Sequence, residues 1–434
     1  MNNTASPRRV ADAYQNALAR LGMGQPNLLS ASEYPLARLS GDQRLMTSLY
    51  RGNWIARRIV DTIAEDMCKN WYTLRGASPE MLARFAREEK RGHVRERVLS
   101  ALKWARLYGG AAGLLLIDGQ EDRLDAPLDL NEIQPGQFRG IWVCDRFGGV
   151  TPSSETVGDL ADPDYGLPER YEFTAQGARG AHYAVHHSRV LRFVSRELPA
   201  QEQLAESFWG ASELEHVLDE LVKRDATSAN IAQLIFQANL RVLKMSDFGE
   251  ILASSSEDAQ RDLYSALRAQ NQLMSSMGLQ VLDREDSFET HAYAFSGISD
   301  VYELFMLDVA GAAEIPATRL FGRSPAGMNA TGEGDLRNYY DSVRQKQQSC
   351  LRPALEKLAP VLAMSAWGHV PDGLDFDFNP VRDLSGAERA QLARQHTETV
   401  AAAFSAGLVT RETALSELSR LGKETGFWTG CAAP

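Results

Sequence analysis

The spacing of apolar positions changes several times along the chain, and these changes divide it into elements. In residues 43–69, Ile55, Ile59, Ile63 and Met67 recur every four residues, while Arg57, Arg58, Asp61 and Glu65 take the other faces. This predicts one amphipathic helix. A second helix is expected after Ser78-Pro79 and a third from about Val94 to Tyr108. Gly109-Gly110 then leads into Leu114-Leu115-Leu116-Ile117, a short buried strand that ends in the Asp118-Gly119 turn. Further strands are expected at 140–145, 170–173 and 189–195, separated by Gly/Pro/Asp-rich loops such as 159–168. This block reads as α+β.

After Phe208-Trp209-Gly210-Ala211 the period becomes helical again. Ser212 and Glu215 have the spacing of a capping box, and Leu214, Val217, Leu218, Leu221 and Val222 form a seam, so a long helix is expected over 212–237. Strands at 240–245, 279–283 and 289–295 bracket a polar helix at 257–275, and a further helix spans 298–313, ending before Ile315-Pro316. Residues 322–334 have almost no apolar content. They hold Gly322, Gly327, Gly332, Gly334 and Pro325, the composition of a flexible loop. A long helix over 335–364 should kink at Pro353. A strand at 375–378 precedes two C-terminal helices. Ser385 and Glu388 cap the first, Thr410 starts the second, and Gly422 stands where a C-terminal glycine would end it.

The 434 residues, 44% hydrophobic, suffice for one large core or two to three smaller ones. The long amphipathic helices do not point to a self-sufficient single core. No apolar run is long enough for a transmembrane helix. Two arginines near the N-terminus have no apolar stretch behind them, so a cytosolic protein without a secretory signal is expected. Cys68, Cys144, Cys350 and Cys431 fit no metal-ligand spacing and read as buried free thiols.

The net charge of −11 argues against a protein that grips nucleic acid through its phosphates. Its distribution is uneven. Residues 209–310 hold 17 Asp/Glu against 7 Lys/Arg, whereas the first 60 residues hold 8 Arg against 3 Asp/Glu. The acidic segment is either a solvated helical face or a surface that must face DNA without binding it.

Catalytic signatures are lacking. Thr331-Gly332-Glu333-Gly334 has no GK[ST] ending, and no Gly-x-Ser-x-Gly occurs. His186-His187, with His182 nearby, comes without a ligand motif and reads as a strand-edge pair. No catalytic residue, metal or cofactor is expected, and the chain is not expected to be an enzyme.

Four segments carry a resemblance: Tyr50-Arg51-Gly52-Asn53-Trp54-Ile55 with Asp61; Trp209-Gly210-Ala211-Ser212; Glu314-Ile315-Pro316-Ala317-Thr318-Arg319-Leu320-Phe321-Gly322; and Gly327 to Asp335, running into Tyr339-Tyr340. Together they resemble the portal proteins of tailed bacteriophages, in particular the portal-like family once described only as phage-associated, over roughly residues 40–425. The resemblance implies an elongated α+β portal fold. It would comprise a flexible N-terminal arm (1–40), an α+β wing (41–208), a stem helix (209–237), a small clip (238–285) and a return stem segment (286–321). A tunnel loop (322–334), a long kinked helix with the wing return (335–384) and C-terminal helices of the wing or crown (385–434) would complete it.

It also implies a ring, usually of twelve subunits, at one capsid vertex of the virion, assembled in the host cytoplasm. Its partners would be further copies of itself, the terminase large subunit, a head–tail adaptor, and the major capsid and scaffolding proteins. Double-stranded DNA would pass through without sequence-specific binding, and no membrane is involved. Gly327, Asn329, Thr331, Gly332, Glu333 and Gly334 are the tunnel-loop candidates, and Asp219, Glu220 and Asp225 the acidic channel-lining candidates. Two other readings stay open: another capsid-associated oligomer such as a head–tail adaptor, and a phage DNA-processing enzyme, which would need a clustered metal-binding carboxylate set.

Overall fold

The computed structural model describes residues 38–175, 180–236, 239–244, 287–292, 297–322, 333–382 and 385–427, with isolated helical positions between 258 and 272. The stripe over 43–69 folds as two helices, α1 (Gln43–Gly52) and α2 (Trp54–Lys69). Asn53 separates them. Its backbone is extended (φ −111°, ψ 113°), and its side-chain oxygen accepts from the amides of Ile55 and Ala56, which starts α2 afresh. Ser78 caps α3 (Pro79–Arg91) through Met81 N, and α4 spans Val94–Tyr108.

The apolar run after α4 is the central strand of a three-stranded antiparallel sheet. β2 (Gly110–Ile117) lies between β3 (Phe138–Asp145) and β7 (Val190–Val194). Both faces of β2 are covered, so it is apolar at nearly every position. Ala111, Leu115 and Ile117 enter a large core with α1, α2 and α4, whereas Ala112 and Leu114 enter a second core with Tyr171, Phe173, Val185 and Trp209. A second antiparallel sheet, β4 (Val150–Pro152), β5 (Arg170–Thr174) and β6 (His182–His186), closes that second core. The pairing of β1 (Tyr72–Arg75) with β10 (Asp375–Phe378) joins the early and late chain. The large core is contiguous from Met46 to Val381, contrary to the expectation that no single core would suffice.

Trp209-Gly210-Ala211-Ser212 is a close crossing of backbones. A Cβ on Gly210 would stand 2.1 Å from Arg196 O, and one on Gly109 the same distance from Gly210 O. Only glycine fits at either point. Ser207 and Phe208, just before the crossing, both have positive φ (55° and 64°), and Arg192 donates to Phe208 O while its guanidinium lies 5.7 Å over Trp209.

The helix expected from residue 212 begins later. After a short helix α5 (Ala200–Ala205), α6 spans Leu218–Phe236. Ser212 and Glu215 do not form a capping box. The Ser212 hydroxyl donates to Leu107 O (2.6 Å), and Glu215 accepts from Ser40 N (2.7 Å). Both are used to hold the crossing to distant chain. The antiparallel strands β8 (Asn239–Lys244) and β9 (Ser287–Ala292) pair, followed by α7 (Ile298–Ala312) and the short α8 (Ala317–Phe321). The expected strand at 279–283 lies outside the described residues.

The long helix expected over 335–364 is α9 (Glu333–Lys346), a π-helical turn (Gln347–Leu351) and α10 (Arg352–Trp367). Pro353 lacks an N–H and crowds the carbonyl four residues back, and the extra residue in the preceding turn absorbs that defect. At the C-terminus, both halves of the Ser385/Glu388 capping box start α11 (Gly386–Ser405), and Thr410 caps α12 (Arg411–Thr425). The left-handed terminator of α12 is Gly426 (φ 78°), not Gly422, which lies within the helix. Cys68 and Cys144 are buried free thiols, Cys350 is half-buried, and Cys431 lies outside the described residues.

Candidate functional site

α6 and α7 pack against each other. Arg224 donates to the Tyr302 hydroxyl and stacks 5.3 Å over its ring, and His216 Nε2 donates to Ala312 O (2.7 Å). Residue numbers rise along one helix as partner numbers fall along the other, so the pair is antiparallel. This helical pair leaves apolar surface uncovered. Of the mainly apolar α7, only Val309 and Ala310 are fully buried. Val301 (51%) and Leu304 (61%) on α7, and Val222 and Leu234 on α6, are exposed.

The three acidic candidates all stand on α6 but in different settings. Asp219 is exposed, and Glu220 is half-buried and 2.8 Å from Lys223. Both occupy the first turn, where the helix dipole favours negative charge. Asp225 is engaged within the subunit: Asn53 Nδ2 donates to it (2.7 Å) and Arg224 lies 2.7 Å away.

A chain of charges links α4 to α9 through three connecting segments. Arg106 of α4, 5% exposed, donates to Ile59 O (2.9 Å) and Val60 O (3.0 Å) and pairs with Glu213 at 3.2 Å. Ser195 Oγ donates to Glu213 (2.5 Å), and Arg196 lies 3.3 Å away. Arg196 also reaches Glu314 (3.0 Å), whose other oxygen pairs with Lys346 of α9 (2.9 Å). Burial alone would raise the Glu213 carboxyl, but Arg106, Ser195 and Arg196 outweigh it and hold it at about 2. Glu314 has φ +58°, a strained conformation for a non-glycine residue, and its two ion pairs hold it there.

The roots of the glycine-rich segment meet at a single carboxylate. Arg319, before it, donates twice to Asp66 (2.6 and 3.2 Å), and the Tyr339 hydroxyl, after it, donates to Asp66 Oδ2 (2.7 Å). Arg58 holds Leu320 O (2.6 Å), and Gly322 ends α8 with φ 73°. Burial and the adjacent Asp66 push the Tyr339 hydroxyl well up. Of the tunnel-loop candidates, Gly327, Asn329, Thr331 and Gly332 lie outside the described residues. Glu333 is the first residue of α9, and Gly334, also in α9, is exposed.

Sequence reasoning missed Asp66, Arg106 and Glu213. The signal for the first two was present: each is a charged residue on the apolar stripe of its helix, Asp66 three residues after Ile63 and Arg106 four after Leu102. The histidines also acquire a setting. His187 is buried, 2.9 Å from Asp164 and 3.8 Å from Asp162, a grouping able to hold a cation. Lys357 supplies one, with Nζ 2.7 Å from Asp164. Burial would raise Asp164, and Lys357 with His187 lowers it below the ordinary carboxylate range. The cluster thus ties the 159–168 loop to α10.

The structure thus combines an α+β body with an antiparallel helical pair that exposes Val222, Leu234, Val301 and Leu304, beside the roots of a glycine-rich segment. The phage portal protein family matches residues 45–402, and the chain belongs to that family. It is 28% identical over 426 residues to an uncharacterized protein of Haemophilus influenzae, covering 98% of this chain and 92% of the relative. It is also 29% and 32% identical to proteins named anti-CBASS protein Acb1 from Caulobacter sp. and Sphingomonas paeninsulae, with 89% and 90% of this chain matched. The chain spans 62% of the length of each, and the anti-CBASS name stays with those proteins. Among solved structures, a chain in the neck of an empty GTA particle computed with C6 symmetry shares the fold, at TM-score 0.52 and 15% identity, covering 88% of this chain and 94% of that one.

Proposed function

We propose that the chain forms a closed homo-oligomeric ring, of twelve subunits, at one vertex of a phage capsid, and that double-stranded DNA passes through its channel. The carrying observation is the stem. A folded monomer with its own large core still exposes Val222, Leu234, Val301 and Leu304 on two packed helices. Such apolar surface marks a protein interface, and a head-to-tail contact that closes makes a ring. In this reading residues 41–208 and 385–434 are wing and crown, 209–237 and 286–321 the stem, 238–285 the clip and 322–334 the tunnel loop. The clip, whose described part is β8 and isolated helical positions between 258 and 272, faces the terminase large subunit and later the head–tail adaptor. The wing meets capsid and scaffolding proteins.

Asp219, exposed in the first turn of α6, is the α6 carboxylate best placed to repel phosphates from the lumen, because Glu220 pairs with Lys223 and Asp225 with Asn53 and Arg224. The loop reading has its own test. Replacing residues 323–332 by a few glycines leaves the Asp66 anchorage of Arg319 and Tyr339 in place, so rings still form. Infection with such a phage yields particles with impaired DNA packaging or retention. Normal phage yield would make the loop a passive connector.

A further inference from the structure

Between Gln43 and Val60 there are four arginines, Arg44, Arg51, Arg57 and Arg58, all exposed, and no Asp or Glu. In a chain of net charge −11 this is a local reversal of sign. Arg57 and Arg58, with Arg319, line an open cavity of about 340 Å³, together with Trp54, Asp61, Thr62 and Glu65.

The carboxylates of that cavity have other cations. Lys103 lies 2.6 Å from Glu65 and 3.5 Å from Asp61, which also accepts from the Tyr50 hydroxyl (3.0 Å). The arginines are less fully engaged. Arg57 has a long ion pair to Asp61 (3.5 Å) and a side chain 66% exposed. Arg58 donates to Leu320 O and lies 6.0 Å over Trp54, which is itself 51% exposed. Arg319 donates twice to Asp66 and remains 42% exposed. A guanidinium has five N–H donors in a planar fork suited to phosphate oxygens, and an exposed indole beside it can cover a sugar or base.

We propose that this cavity is a seat for a backbone phosphate of double-stranded DNA. Arg57 and Arg58 are the principal donors, and Trp54 packs against the adjoining sugar. The choice of duplex rests on the portal reading, since a free nucleotide offers the same phosphate chemistry. The seat adjoins Arg319, Leu320 and Gly322, at the root of the segment read as the tunnel loop. A single cationic belt beside that loop, repeated around a ring, holds the duplex at one level of an otherwise acidic channel. The hold is electrostatic and weakens steeply with salt.

The test is fluorescence anisotropy of a short labelled duplex, and separately of a labelled ATP analogue without magnesium, on the assembled full-length protein between about 50 and 200 mM salt. Arg57→Ala/Arg58→Ala is compared with Arg394→Ala, an exposed arginine of α11. Negative-stain images of every sample report assembly. The seat predicts salt-dependent duplex binding, weaker by about tenfold in the double variant, unchanged in Arg394→Ala, and tighter than the nucleotide. Equal duplex binding by the double variant, no duplex binding by the parent protein at the low salt, or a preference for the nucleotide would each overturn it. So would loss of rings in the double variant with duplex binding intact, because the arginines would then serve a neighbouring subunit. Duplex binding that depends on the two arginines in a parent protein that forms no rings would sink the portal reading and leave the phosphate seat standing.

Discussion

If the proposed ring forms through the α6–α7 face, Leu304→Asp converts it into folded monomers. Leu304 is 61% exposed on α7 and Val301, one turn earlier, 51%, so neither contributes much to the core of its own subunit. In a ring each copy buries this face against a neighbour. Burying a leucine contributes about 1.5–3 kcal/mol, and an aspartate in its place must be desolvated without a partner, which costs more. The loss recurs at every interface of a closed ring, so the effect on assembly is far larger than on folding. Size-exclusion chromatography with light scattering should show one subunit mass, while circular dichroism and the melting temperature stay near those of the parent protein. An unchanged oligomer would mean that the stem face looks outward.

Arg106→Ala has the opposite signature, a fold that fails before assembly is reached. Arg106 and Glu213 are each 5% exposed, and Arg106 also satisfies two α2 carbonyls. Removing one member of a buried ion pair strands the other in a medium that cannot solvate it, and this costs about 3–5 kcal/mol. That is a large fraction of the stability of a domain, so little soluble protein is expected. Arg106→Met with Glu213→Gln should recover part of it, because no buried charge remains.

The same pair predicts a pH dependence. The Glu213 carboxyl is depressed in the fold to about 2 from an ordinary 4.5. Its stabilisation is therefore complete above 4.5 and is lost as pH falls towards 2. In acid titrations of melting temperature, the Arg106→Met/Glu213→Gln variant, which leaves no stranded charge, should fall less steeply than the parent protein in that window. Parallel curves would show that Glu213 carries no such linkage.

The elements that could be read from the sequence are those fixed by local chemistry. α4 begins and ends where its pattern does, because a regular stripe runs from Val94 to Tyr108 and Gly109 (φ 87°) terminates it. The Ser385/Glu388 capping box forms because both partners lie within one turn. Ser212/Glu215 has the same spacing, yet its side chains reach Leu107 and Ser40, and no local rule encodes partners so far away. The break at Asn53 was legible but missed, since the stripe of Ile55, Ile59, Ile63 and Met67 starts only after it and Asn53 stands where an N-cap would. At the site, the composition of 322–334 suggested a loop and the resemblance a role for it, and residues 323–332 lie outside the described residues. The Asp66 anchorage depends on Arg319 and Tyr339, more than 250 residues away from it in the chain, coming together. The basic excess near the N-terminus was visible as a count. Only the fold sets Arg57 and Arg58 beside Arg319.

The central claim is that this chain builds a ring around a channel. Negative-stain or cryogenic electron microscopy of the purified protein tests it most directly. The account predicts closed rings, twelve-fold in end-on class averages, with an open centre wide enough for duplex DNA. A monodisperse population of single subunits at micromolar concentration, or closed particles without a central channel, would contradict it.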